Sequence, residues 1–296
     1  MNVSRSLWAA IQKNHEDSCR VHHRVGYESK RGVNSMNWVL FLWAWAVTTP
    51  MMGGLWLVYR RYHRNAALAD VGFCVGFGLV SIGLGLMTTG DVAHRIVVAV
   101  MGAGYAFRLG VYIFRARIVN AVEDPRYQSL RGKLGGRAEW WLFVYFIGQG
   151  LAIAIFSIPL LVLMGNPEAS WSLWEVAGIL LWAIGVGGET IADDQLNCFR
   201  RQAHNKGKTC RKGLWRYSRH PNYFFDVVHW CAYVVMSVGI PDGWLTLVGP
   251  VLMMWALLNV TGIPFAEAQA LASRGDDYRD YQWTTNAFIP WFPKRK

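Results

Sequence analysis

Glu189, Asp193, Asn197 and Arg200 recur at i, i+4, i+8 and i+11. On a helix those spacings make one continuous polar stripe. Asn222, Asp226, His229 and Tyr233 recur at i, i+4, i+7 and i+11 and make a second. Asn259, Ile263 and Glu267 align as a third, with a carboxylate at the end of its helix. The segment joining the first two stripes carries Arg200, Arg201, Lys206, Lys208, Arg211, Lys212, Arg216 and Arg219. Arg forks match phosphate oxygens bidentately. Asn and carboxylates can hold amide and hydroxyl groups, and Tyr and Trp can stack on flat rings. Such a set predicts a pocket for a large polyanionic cofactor. For Arg200 and Arg201 the plain alternative is a helix emerging into water. Glu189 lies deeper in an apolar run, where an ionisable group is costly and usually faces a cavity. Further on, Tyr278 and Tyr281 either lie against a ligand or form an interfacial aromatic belt.

The elements that position these residues are apolar. The chain has 296 residues, 53% hydrophobic and only 17% charged, against about 25% charge in a soluble domain. Seven apolar runs cover roughly 38–59, 66–88, 96–114, 140–164, 171–192, 223–240 and 244–264. Each approaches the length that crosses a bilayer as a helix. The sixth is the shortest and carries Asp226 and His229. Continuous apolar runs without period-2 alternation exclude a barrel. The expected class is all-α: a multi-pass transmembrane bundle of about seven helices.

Loop charges set the expected orientation. Segments after spans one, three, five and seven hold 3, 6, 8 and 5 Lys or Arg, whereas those after two, four and six hold 1, 0 and 0. The positive-inside rule then puts the C-terminus and the cofactor pocket at the cytosolic face. It also accounts for the net charge of +11 without nucleic acid as a partner. The polar, basic stretch 1–35 falls on the other side and breaks the rule. Either it is a tail lying on the surface, or the native start is Met36 and 36–296 is the membrane domain.

Other motifs do not form. Five scattered Cys lack a C-x-x-C, and there is no H-E-x-x-H, so no metal is expected. Gly76-Phe-Gly78 and Gly185-Val-Gly187 lie inside apolar spans rather than after a strand, which suits close helix packing. Arg108, alone inside span three, is expected to answer a buried carboxylate or a phosphate.

Glu189…Asp193-x-Gln195…Phe199 followed by Gly-Leu-Trp-x-Tyr-Ser-Arg-His-Pro-Asn-Tyr over 213–223 resembles the DUF1295 family. That family is related to the C-terminal domain of steroid 5-alpha-reductases and to sterol reductases. Asn65…Asp70-Val-Gly, Glu123-Asp-Pro-Arg-Tyr127 and Tyr278-x-x-Tyr281…Phe-Ile-Pro290 fit the same family, so the likeness runs over roughly 60–293. It implies a membrane-embedded, NADPH-dependent reductase of an activated C=C bond in a lipid or steroid-like substrate that enters from the bilayer. By the resemblance, Asn222 contacts the nicotinamide carboxamide region and Asp226 frames that pocket. Asp193 and Arg200 hold ribose and phosphates. Glu189, Arg219, His220, Tyr223, Glu267 and Tyr281 line the rest, and Asn197 of the first stripe and Tyr278 of the tail join them as candidate cofactor-binding residues.

The chain departs from the pattern at Phe225-Asp226, where steroid reductases more often have Gly-Glu. The steroid-binding Glu/Tyr pair of the second and third helices has no clear counterpart. Asp70 and Tyr105 stand nearest by position, and they join Asp226 as candidates for the group that polarises a substrate carbonyl. Arg-His-Pro-x-Tyr alone is shared with membrane methyltransferases, so the alternative is S-adenosylmethionine-dependent methylation of a lipid or prenylated substrate. Eight cations in one loop suit the phosphates of NADPH better than a sulfonium. The third possibility, a transporter or scaffold, predicts a polar path through the bilayer. The ionisable residues instead gather at one face.

Overall fold

The structure is a computed structural model that describes residues 37–119, 123, 125–168, 170–260 and 262–294. The stretch 1–35 and the Met36 alternative lie outside them. Among the described residues there are helices and turns and no strand. The helices are α1 (Trp38–Val58), α2 (Leu68–Met87), α3 (Val92–Ile113), α4 (Pro125–Leu134), α5 (Ala138–Phe156), α6 (Ile158–Met164), α7 (Leu173–Arg201), α8 (Pro221–Met236), α9 (Val248–Trp255), α10 (Ile263–Arg274) and α11 (Asp276–Thr284).

Among the described residues, six helical stretches are long and apolar enough to cross a membrane, the mark of an integral membrane protein: Trp38–Tyr62, Leu68–Met87, Val92–Val119, Arg126–Met164, Leu173–Arg201 and Gly243–Arg274. Six of the seven expected spans are thus matched by such stretches. The remaining one, α8, has 16 residues, about 24 Å of rise. It starts at Pro221, which occupies the first turn where a missing N–H costs nothing.

Two sequence expectations need correcting. Span seven is matched as one apolar stretch, but it is not one regular α-helix among the described residues. A π-helical turn, Ala256–Val260, follows α9, and α10 starts at Ile263 after Gly262, whose φ −95 and ψ −107 are not helical. Asn259 is therefore exposed and bonds back to Trp255 O at 3.1 Å, so it shares no stripe with Glu267. The basic connection 115–139 is not only loop, because it contains α4.

The packing has two parts. α1 lies against α5 and α2, and α2 against α3, while α7 runs along α8. Gly185 makes the second contact possible: a Cβ there would lie 2.6 Å from the His229 nitrogen. Phe77, Leu84, Tyr105, Ile153, Trp230 and Tyr233 fill the core where the parts meet.

At the end of the bundle away from the basic loops, a buried polar clamp joins α3 to α7. Asp91 caps α3 through the nitrogens of Ala93 and His94, and Ser172 and Glu175 form a capping box on α7. His94 lies 2.8 Å from Asp91 and 2.9 Å from Glu175, and stacks on Trp171 at 4.1 Å. His94 and Glu175 are 2% and 4% exposed. Glu175→Ala leaves Ser172 capping the helix but removes the carboxylate half of the capping box and one side of the pair with His94, so a loss of about 3 kcal/mol is expected. Thermal unfolding in detergent measures it, with Glu175→Gln retaining more stability than Glu175→Ala.

Candidate functional site

The C-terminal half of α3, the C-terminal half of α7, the start of α8, and α10 and α11 enclose a cavity of about 800 Å³ at the basic end of the bundle. This is within the range of cofactor and ligand pockets. All four residues of the first predicted stripe line it, but of the second only Asn222 and Asp226 do, because His229 and Tyr233 lie deeper along α8 and are buried in the core.

Arg108 crosses from α3 to α7. Its guanidinium reaches Glu189 and Asp193 at 2.5 Å each and donates Nε–H to Thr190 Oγ1 at 3.0 Å. Arg108 thus answers two carboxylates, as the cost of a charge deep in an apolar helix requires. Asn222 donates to Asp193 Oδ1 at 3.2 Å. Arg108, Asp193 and Asn222 form one chain between three helices.

Deeper in, Asp226 borders the cavity and Tyr105 stands behind it, donating its hydroxyl to Asp226 Oδ1 at 2.9 Å. Tyr105 stacks on His229 at 3.9 Å, and His229 Nδ1 lies 3.9 Å from the same Oδ1. Tyr105 is 1% exposed and His229 is fully buried. Asp226 Oδ2 is the oxygen that neither neighbour engages.

Glu267 organises the outer wall without lining the cavity. It accepts from Arg219 Nε at 2.7 Å, Gln282 Nε2 at 2.7 Å and Tyr278 OH at 3.5 Å, and lies 3.3 Å from His220 Nε2. Arg219 also donates to the Gln282 and Thr285 carbonyls at 2.9 and 2.6 Å. Tyr281 donates to the Trp215 and Ser218 carbonyls. Gly213, at φ +59, leaves room for Gln195, whose Oε1 accepts from Leu214 N at 2.8 Å. Tyr278 and Tyr281 are buried, so the aromatic-belt alternative fails for both. Burial raises both phenols above their ordinary range, and they remain neutral.

Burial also holds the His220 imidazole below its usual value, against the opposing hydrogen bond from Glu267. The folded protein therefore favours the neutral ring. The unfolded chain takes up a proton as pH falls through about 6.5, and the folded state does not follow until lower pH. This residue thus costs no stability above that point and an increasing amount below it. Melting temperatures measured from about pH 7.5 down to pH 5 should fall on the acid side. His220→Gln is expected to flatten that fall.

Twelve sequence-predicted residues line the cavity: Asp70, Glu189, Asp193, Asn197, Arg200, Arg219, His220, Asn222, Tyr223, Asp226, Tyr278 and Tyr281. Tyr105 and Glu267 stand one hydrogen bond behind it. Asp70 lies at a different edge from Asp226, receiving Tyr127 OH at 2.8 Å, Tyr145 OH at 3.1 Å and Arg126 Nη2 at 3.0 Å. With donors on both oxygens it is poorly placed to donate a proton itself. Sequence reasoning missed Tyr112, Thr190, Phe265 and Gln269, which also line the cavity. Thr190 follows Glu189 directly, and Tyr112 sits one turn after Arg108. Those spacings were the available signal.

Two buried oxygens, Asn222 Oδ1 and Glu189 Oε2, have no hydrogen-bond partner among the described residues. An unmatched carboxamide acceptor and a carboxylate beside Arg, Asn and Tyr groups fit a ligand with amide and hydroxyl donors and phosphate acceptors. Among the described residues no group of three or more His, Cys, Asp or Glu could hold a metal ion.

Comparison with known proteins agrees with the sequence blocks. A stretch of 69 residues is 36% identical to 3-oxo-5-alpha-steroid 4-dehydrogenase 1 of Bos taurus. It covers 23% of this chain and 26% of that protein, so the match spans about a quarter of the relative's length. No solved structure matches the chain. The model of the family described as protein of unknown function (DUF1295) matches residues 55–285. With most of the chain matched, and the polar stripes and the 213–223 block inside that span, this protein belongs to the DUF1295 family.

Proposed function

We propose that this protein is a membrane-embedded, NADPH-dependent reductase of an activated C=C bond in a hydrophobic, steroid-like or lipid substrate, with its cofactor pocket and C-terminus on the cytosolic side. The observation that carries the reading is the juxtaposition in one cavity of cations, an unmatched carboxamide and Asp226, with Tyr105 bonded to Asp226 from behind. The bovine relative is named for a steroid enone reaction run in the oxidative sense, and its likeness supports the substrate class.

Bound NADPH would supply the hydride for the β-carbon of an enone. Arg200, Arg219 and Arg274 would meet its phosphates, Asn222 its carboxamide, and Asp193 and Asn197 its ribose hydroxyls. Asp226 is the group placed to polarise the substrate carbonyl. Tyr105 holds Oδ1, and Oδ2 is the atom through which a proton would pass to the substrate oxygen; the enol so formed becomes the saturated ketone when its α-carbon takes up a proton and its oxygen returns the first one, a net uptake of one hydride and one proton. Tyr105 acts through Asp226 and positions it. Behind the pair, Tyr105 packs edge-on against Trp230 in the buried core, with ring centres 6.1 Å apart.

The test is ligand-dependent stability in mild detergent. NADPH at about a hundredfold its dissociation constant should add about 2.7 kcal/mol to the folded state. Asn222→Ala should shrink the shift, and S-adenosylmethionine should give none. Stabilisation by S-adenosylmethionine alone would replace the reductase with a methyltransferase. Nucleotide-independent flux in proteoliposomes would replace it with a transporter.

A further inference from the structure

The segment that closes the outer wall also presents an apolar surface that the site does not use. Trp283, Ile289, Trp291 and Phe292 are 80, 62, 66 and 75% exposed. A short run of chain thus directs four large apolar side chains outward, while Tyr278, Tyr281 and Phe288 of the same run turn inward.

This surface is held on a fixed backbone. Arg219 N donates to Asn286 O at 2.9 Å, Ser218 Oγ to Phe288 O at 2.7 Å, Trp291 N to Tyr217 O at 2.9 Å and Lys294 N to Thr284 O at 2.8 Å. Its level in the molecule is fixed as well. Phe288 packs on Phe224 with ring centres 5.8 Å apart, and Phe292 on Tyr217 at 6.0 Å. Phe224 is in the first turn of α8, where that helix enters the bundle beside the apolar spans. The exposed side of α11 changes character along its length: Asp276 and Arg279 form an exposed ion pair, and Trp283 follows one turn later. Arg216 and Lys294 are exposed beside the aromatic groups, and residues 283–294 contain no Asp or Glu.

The geometry points to an interfacial membrane anchor: Trp283, Ile289, Trp291 and Phe292 seat in the headgroup layer of the bilayer, and the flanking cations meet anionic lipid. Trp and Phe on one face with Lys and Arg at its edge is the composition that binds this layer. A second copy of the chain would bury the same apolar area. It would gain nothing from the surrounding positive charge, since two copies would bring cation to cation. Because the segment supplies the carbonyls that hold Arg219, its seating in lipid steadies the wall of the cavity. The inference stands on exposure, level and charge, and holds whatever ligand the cavity takes.

Site-directed spin labelling tests it in full-length protein reconstituted in vesicles of phosphatidylcholine with phosphatidylglycerol. Cys19 and Cys198 are replaced by Ser. Single labels are introduced through Trp291→Cys, through Ile289→Cys as a second position that tolerates failure of the first, and through Asp276→Cys as an aqueous reference. The expected result is several-fold greater collision with dissolved oxygen than with a water-soluble nickel chelate at 291 and 289, with the reverse at 276. Nickel accessibility at 291 and 289 equal to that at 276 overturns the anchor. Protection from both reagents with dipolar broadening between labels also overturns it, in favour of contact between copies.

Discussion

Arg108→Met is expected to lower the stability of the folded protein by about 3–5 kcal/mol, the largest loss from any single change at the site. The guanidinium sits between Glu189 and Asp193, which are 5% and 2% exposed. Removing it leaves two carboxylates facing each other in an apolar surround, with Asp226 close by. Charges buried without a counterion cost far more than the net worth of the pair they came from. Arg108→Lys should fall between the two, because an ammonium cannot serve Thr190, Glu189 and Asp193 from one planar fork. The triple variant Arg108→Met, Glu189→Gln, Asp193→Asn removes the orphaned charges and should recover part of the loss. Thermal unfolding in detergent of these three proteins decides the matter. A melting temperature for Arg108→Met equal to that of the unmodified protein would show that the three-helix chain holds nothing together.

The second large effect is on turnover. Asp226→Asn keeps the size of the side chain and an acceptor for Tyr105, but removes the proton that Oδ2 would carry. With a steroid bearing a 3-oxo group and a 4,5 double bond as probe, kcat measured by NADPH consumption should drop about 100- to 10,000-fold. Stabilisation by NADPH should be nearly unchanged, because the cations and Asn222 remain. Tyr105→Phe should lose less, since Tyr105 acts through the carboxyl. Equal loss of NADPH stabilisation and turnover in Asp226→Asn would move Asp226 from the reacting end of the cavity to the cofactor's frame.

Much of this arrangement was legible in the residues because helix periodicity survives folding. Glu189, Asp193, Asn197 and Arg200 line one cavity because α7 is unbroken over 29 residues. Asn222 and Asp226 join them because Pro221 starts α8 where the sequence signals it. The stripe through Asn259 failed for the converse reason. Its alignment presumed a continuous α-helix, and the π-helical turn and the non-helical Gly262 break the α-helical register between Asn259 and Glu267. Which carboxylate serves as acid was not legible either. Asp70 and Asp226 look alike as isolated residues in apolar runs. They differ only in what meets them from elsewhere in the chain: two tyrosines and an arginine for Asp70, and Tyr105 for Asp226. Spacing reports what lies along one helix and is silent on partners 56 to 121 residues away.

The contacts of Arg219 have a consequence for how the protein is made. Its acceptors on Gln282 and Thr285 lie 63 and 66 residues downstream, and Glu267 lies 48 downstream. A ribosome delivers Arg219 well before any of them. The apolar spans up to α8 can therefore be inserted in the bilayer while the outer wall of the cavity is still unmade. Synthesis as far as Thr285 completes it. A nascent chain stalled before Gln282 would carry its membrane helices with the pocket open on one side, and quality control acting at that stage would meet an Arg219 that has not yet found its final acceptors.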